Sequence, residues 1–128
     1  MTKLFLVPIV LMVALAGCTN TLGDPLNPNT VYTDNDVPLL RTEIVNTVCS
    51  VSGKTVIHQE DITRFQTTAV MLSKYQGQYE KDFKDVSSQL LGTADTWSLF
   101  VGKDLGKDHA QQLTDICNKV KVQYEATR

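Results

Sequence analysis

The sequence predicts a mainly α protein, a small bundle of three to four helices over residues 37–128 behind a flexible N-terminal tether. Two observations carry this. Apolar residues recur at three- and four-residue steps through much of the chain after Asp36, the period of a helix with one buried face. The stretch from Thr19 to Asp36 is instead polar and turn-forming, with no such face. Length agrees, since 128 residues suit one compact domain and little more.

The chain opens with Lys3, an unbroken apolar run from Leu4 to Ala14, and then Leu15-Ala16-Gly17-Cys18. The positive start, an apolar run too short for a bilayer core of about 30 Å, and small residues before a cut make a secretory signal over residues 1–17. A transmembrane helix is the weaker reading. Leu15-Ala16-Gly17-Cys18 resembles the lipobox of bacterial lipoproteins. That resemblance implies diacylation of the Cys18 thiol, cleavage before it and frequent acylation of the new amino terminus. An ordinary signal peptide, with Cys18 merely near the cut, is the competing account. Two or more acyl chains give lasting attachment at about 0.8 kcal/mol per buried methylene, whereas one chain holds marginally. The expected location is therefore the cell membrane or outer membrane, with the domain facing periplasm or exterior. Thr19 in place of Asp resembles the pattern of lipoproteins sent on to the outer membrane.

Cleavage before Cys18 leaves 111 of the 128 residues and removes one basic and no acidic residue, for a formal charge of −3. A mildly acidic chain whose lysines alternate with acids, as in Glu80-Lys81-Asp82-Phe83-Lys84-Asp85, lacks the basic surface that nucleic acid requires. From Cys18 to Asp36, turn signals such as Gly23-Asp24-Pro25 and Asn27-Pro28-Asn29 predict a linker. Its eighteen residues after Cys18 would reach roughly 20–25 Å as a coil, or about 50 Å as polyproline II.

Asp36 offers an N-cap oxygen, Pro38 lies in a tolerated first turn, and Leu40, Ile44 and Val48 recur at four-residue steps, predicting a helix over 37–50. Gly53 ends it, and Lys54-Thr55-Val56-Ile57-His58 is a β-prone connection, a single strand or extended chain. Ile62, Phe65, Ala69, Leu72, Tyr79, Phe83, Val86 and Leu90 form a seam interrupted only at Gln76, predicting one long helix or two stacked ones. Gly77 marks a kink or break near 75–78, and Gly92 a C-terminal stop. Residues 93–101 read as a short helix or loop. Asp104 or Asp108 caps a last helix whose apolar face is Leu113, Ile116, Val120 and Tyr124, with Cys117 on or beside it.

If Cys18 carries lipid, Cys49 and Cys117 remain as a pair in an oxidising compartment, where a disulfide is expected. It would clamp the first helix to the last. Two buried free thiols are the alternative, and a redox-active pair is disfavoured by the absence of Cys-x-x-Cys spacing.

Signals for catalysis are thin. His58 and His109 are the two histidines, and Asp104, Asp108 and His109 lack zinc-ligand spacing, so no metal or cofactor is predicted. Ser87-Ser88 has no nucleophile-elbow context, and Gly102-Lys103-Asp104-Leu105-Gly106-Lys107 lacks the order of a phosphate loop. No catalytic residue, small-molecule substrate or enzyme activity is expected. Trp97 and Phe100, with Leu99 and Val101 beside them, either fill the open end of a bundle or form an exposed anchor for a protein partner, to which Tyr75 and Tyr79 would add. The expected function is a lipid-anchored, non-catalytic protein-binding module of the envelope. Pilotins, enzyme inhibitors and phage or plasmid exclusion lipoproteins share that outline. The alternative is a passive structural component, in which the Ile62–Leu90 seam is partly an intermolecular interface.

Overall fold

A computed structural model describes residues 22–125. The signal segment 1–17 and the lipidation site Cys18 lie outside the described residues. Four helices follow a 3-10 turn at Asp34–Asp36: α1 (Val37–Cys49), α2 (Gln59–Ser73), α3 (Glu80–Ser98) and α4 (Gly106–Glu125). The fold class expected from the periodicity is the one observed.

α1 buries Leu40, Ile44 and Val48 as their spacing requires. It ends at Cys49, one residue before the expected stop. α2 begins where the Asp61 carboxylate accepts a bond from the His58 backbone N–H (2.9 Å) and one from Lys54 Nζ (2.7 Å). The β-prone connection forms no strand, only an isolated antiparallel bridge between Val56 and Asp104. α2 and α3 pack along each other, α4 packs along α1, and α1 meets α2 more lightly. Ser87 Oγ donates to the Ala69 carbonyl (2.7 Å) across the α2–α3 contact, and buried Thr47 and Thr68 share a 2.6 Å bond between α1 and α2. All three hydroxyls are therefore satisfied in the core.

The seam breaks completely between Ser73 and Glu80. The cause is a segment distant in sequence. Tyr32 pairs alongside Tyr75, with the Tyr32 N–H on the Lys74 carbonyl (3.1 Å) and the Gln76 N–H on the Tyr32 carbonyl (2.8 Å). The Tyr75 hydroxyl donates to Asp34 Oδ1, which also accepts the Gln78 N–H (3.2 Å). Gly77 sits against this knot, where an added Cβ would overlap both the Asp34 carboxylate and the Tyr75 phenol. Gly77→Ala is expected to cost about 1–3 kcal/mol through this overlap, read as a lower denaturant midpoint at an unchanged slope. A midpoint equal to wild type would show that the knot can move aside.

Three expectations are corrected. Residues 22–36 are not a flexible linker. Tyr32 is 1% exposed, its hydroxyl donates to the Gly23 carbonyl (2.6 Å), and Lys74 Nζ donates to the Asn27 carbonyl (2.9 Å). The turn signals are Asx turns held on the domain, with the Leu26 and Asn29 N–H groups on Asp24 and Asn27 side chains (each 2.9 Å). Gly92 does not stop α3, which continues to Ser98. Gly92 is exposed, and its cost of up to about 1 kcal/mol is offset by the burial of Ala94 and Trp97, two and five residues further on. The chain turns only at Gly102, whose φ of 78° suits glycine. Ile116 is 46% exposed, so the apolar face of α4 is not fully covered, whereas Leu113 and Cys117 are buried. α3 does not close over it.

Cys49 and Cys117 form the expected disulfide, with Cα atoms 4.8 Å apart. Together with the Ser52–Thr114 hydroxyl contact (3.2 Å) it fixes α4 antiparallel to α1. Ile62, Phe65, Leu72, Phe83 and Leu90 are each at most 4% exposed within one chain. The seam is consumed in the monomer's own core and is not left over as an intermolecular face.

Candidate functional site

The four aromatic candidates do not form one patch. Trp97 is 5% exposed, edge-on to Phe65 with ring centroids 4.7 Å apart. Tyr75 is 2% exposed, in the knot described above and edge-on to Phe83. Both are core residues, because the α3 face that carries Trp97 points at α2 and Tyr75 is trapped by Tyr32 and Asp34. Tyr79 is half-buried beneath the Arg41 guanidinium, 4.8 Å from its ring centroid. Phe100 is exposed. Tyr79 precedes α3 and Phe100 follows it, so the nineteen residues of the helix separate them by about 28 Å.

Phe100 belongs to the run Leu99-Phe100-Val101, exposed by 71%, 40% and 38%. The run follows the C-terminus of α3 and is supported from below. The Phe100 N–H bonds the Trp97 carbonyl (2.9 Å), the Gly102 N–H bonds the Ile57 carbonyl (2.9 Å), and the Leu105 N–H bonds the Thr55 carbonyl (2.7 Å). A fixed loop thus holds three apolar side chains outward. It lies at the end of the bundle opposite the Tyr32–Tyr75 pair, near which Leu22 and Gly23 border Leu39, Thr42 and Met71.

A second feature has no counterpart in the sequence reading. Because α3 and α4 scarcely touch, a cavity of about 280 Å³ lies between them, with Phe65, Leu90 and Trp97 on one side and Leu113, Ile116 and Val120 on the other. Next to it, sharing Val86, Gln89, Gln123 and Tyr124 in its lining, is a more polar cavity bordered also by Arg41, Tyr79, Asp82 and Asp85. Burial pushes the Tyr124 hydroxyl above the ordinary tyrosine range against the opposing pull of Arg41. It therefore remains a hydroxyl at neutral pH.

The residues considered for catalysis are dispersed. His58 is exposed at the start of α2, Ser87 is spent on a carbonyl, and Asp104 accepts the Gly106 N–H (2.8 Å) at the start of α4. The His109 ring packs edge-on to Trp97, and its buried Nδ1 has no hydrogen-bond partner among the described residues. Among the described residues no group of three or more His, Cys, Asp or Glu side chains could hold a metal ion. No helix among them is long and apolar enough to cross a membrane. Compared with family models, curated proteins and solved structures, the chain matches none.

Proposed function

We propose that this chain is a lipoprotein of the bacterial envelope, held to its membrane through acylated Cys18, that works by binding another envelope protein without catalysis. The observation that carries the reading is the rigid loop Leu99-Phe100-Val101, which keeps apolar surface in water at the bundle end remote from Leu22. Exposed apolar residues grouped on a supported loop mark interaction sites more than singly scattered ones do. Cys18 is four residues before Leu22, a reach of at most about 14 Å. An acylated Cys18 would therefore hold the Leu22 end near the lipid and direct the loop outward.

Pilotins, enzyme inhibitors and exclusion lipoproteins work in this manner, and the bridge between first and last helices resembles that of helical pilotins. The passive structural alternative loses its main support, because the seam it needed is buried within the monomer.

A photo-crosslinking amino acid at Leu99 is expected to give one discrete adduct in intact cells, absent when it is placed at Lys81 on the opposite end. Phe100→Glu is expected to remove the adduct while changing stability by less than about 1 kcal/mol, since the side chain stands partly in water. Equal crosslinking from Leu99 and Lys81, or an adduct indifferent to Phe100→Glu, would refute the docking surface.

A further inference from the structure

The space between α3 and α4 is narrow. It holds about 280 Å³, and of its lining Ile116 is 46% exposed and open to an occupant. A helix with its side chains is about 10–12 Å across, too wide to enter a space of that volume. An unbranched alkyl chain can enter. The volume is just below the ~300–1,000 Å³ usual for small-molecule sites, room for part of one such chain.

The slot leads to charge at one end. Val86, Gln89, Gln123 and Tyr124 line both it and the adjoining cavity of about 390 Å³, which Arg41, Asp82 and Asp85 also line. None of these three forms an ion pair among the described residues. Arg41 is held in place by the Tyr79 ring beneath it. A purely anionic head group arriving there would satisfy Arg41 and face two carboxylates, and a purely cationic one would face the guanidinium. A head that carries both a phosphate and an ammonium meets all three.

We infer that the α3–α4 slot binds a single-chain phospholipid with a zwitterionic head, its alkyl chain running along Leu90 to Trp97 and its phosphate on Arg41. This site is separate from the Leu99–Val101 loop and stands or falls independently of the protein partner.

Trp97 is the single tryptophan of the chain and borders the slot, so its emission reports occupancy. The full chain, carrying Cys18→Ser so that no acyl group of its own competes, is titrated with lysophosphatidylethanolamine brominated at mid-chain, below the concentration at which it forms micelles. Saturable quenching with one lipid per chain is expected. The same brominated chain on a phosphoglycerol or a maltoside head should bind about tenfold more weakly. Arg41→Glu should lose about tenfold for the phosphoethanolamine head and nothing for the maltoside. Ile116→Phe, at a half-exposed wall position that tolerates bulk, should weaken all three. Retention of the Cys49–Cys117 bridge, read as resistance to alkylation without reductant, certifies that each variant is folded. Quenching that rises without saturation, that is equal for the three heads, or that ignores both Arg41→Glu and Ile116→Phe would overturn the assignment.

Discussion

Cys49→Ala is expected to lower the unfolding free energy by about 4 kcal/mol and the melting temperature by about 20 °C. The bridged residues are 68 apart in sequence, so the covalent link removes a large loop-closure freedom from the denatured chain. Against a typical domain stability of about 5–15 kcal/mol, that is a major share. The architecture concentrates the effect. α4 packs on α1 and scarcely on α3, with Leu113 and Cys117 buried but Ile116 half-exposed. Once the bridge is gone, α4 is the helix with least to hold it. Amide exchange should therefore accelerate in α4 well before it does in α2 and α3, and Cys117 should become open to alkylation. A denaturant titration of the variant and of reduced wild type should give the same loss. A loss below about 1 kcal/mol in both, with α4 still protected, would mean that packing on α1 alone suffices.

Trp97→Ala is expected to cost about 3–5 kcal/mol, because it empties a buried indole site against Phe65 that rigid neighbouring helices cannot collapse to fill. Phe100→Ala, three residues away, should change stability by less than about 1 kcal/mol, since its ring stands partly in water. The pair of substitutions separates a core aromatic from a surface one within a single turn. Urea midpoints at matched slopes measure both. If Trp97→Ala proved as mild as Phe100→Ala, the indole would not be part of the core.

Local patterns in the sequence were reliable where the deciding contacts are themselves local. The four-residue recurrence of Leu40, Ile44 and Val48 is enough to place α1, and the interruption at Gln76 with Gly77 beside it is enough to place the break in the seam. What makes the break complete is remote. Asp34 and Tyr32, more than forty residues upstream, bind the Tyr75–Gln78 backbone and side chains. For the same reason the N-terminal stretch reads as a linker. Tyr32 is isolated among polar neighbours, and nothing local says that its ring is buried. Gly92 misleads because a glycine's cost in a helix is small compared with the burial of Ala94 and Trp97 beyond it. The aromatic candidates scatter because Tyr79 and Phe100 flank opposite ends of a helix whose length the Gly92 stop had shortened. The exposure of Ile116 and the slot beside it follow from two helices failing to meet, which no one-dimensional pattern encodes.

The central claim is that this small bridged bundle is carried on lipid at Cys18 with its apolar loop directed away from that anchor. Intact mass measurement of the protein extracted from its native membranes tests the anchor directly. The expected species begins at Cys18, lacks residues 1–17, and carries the added mass of two or three acyl chains together with one intact disulfide. A chain that retains residues 1–17, or one that begins at residue 18 with no added mass, would contradict it.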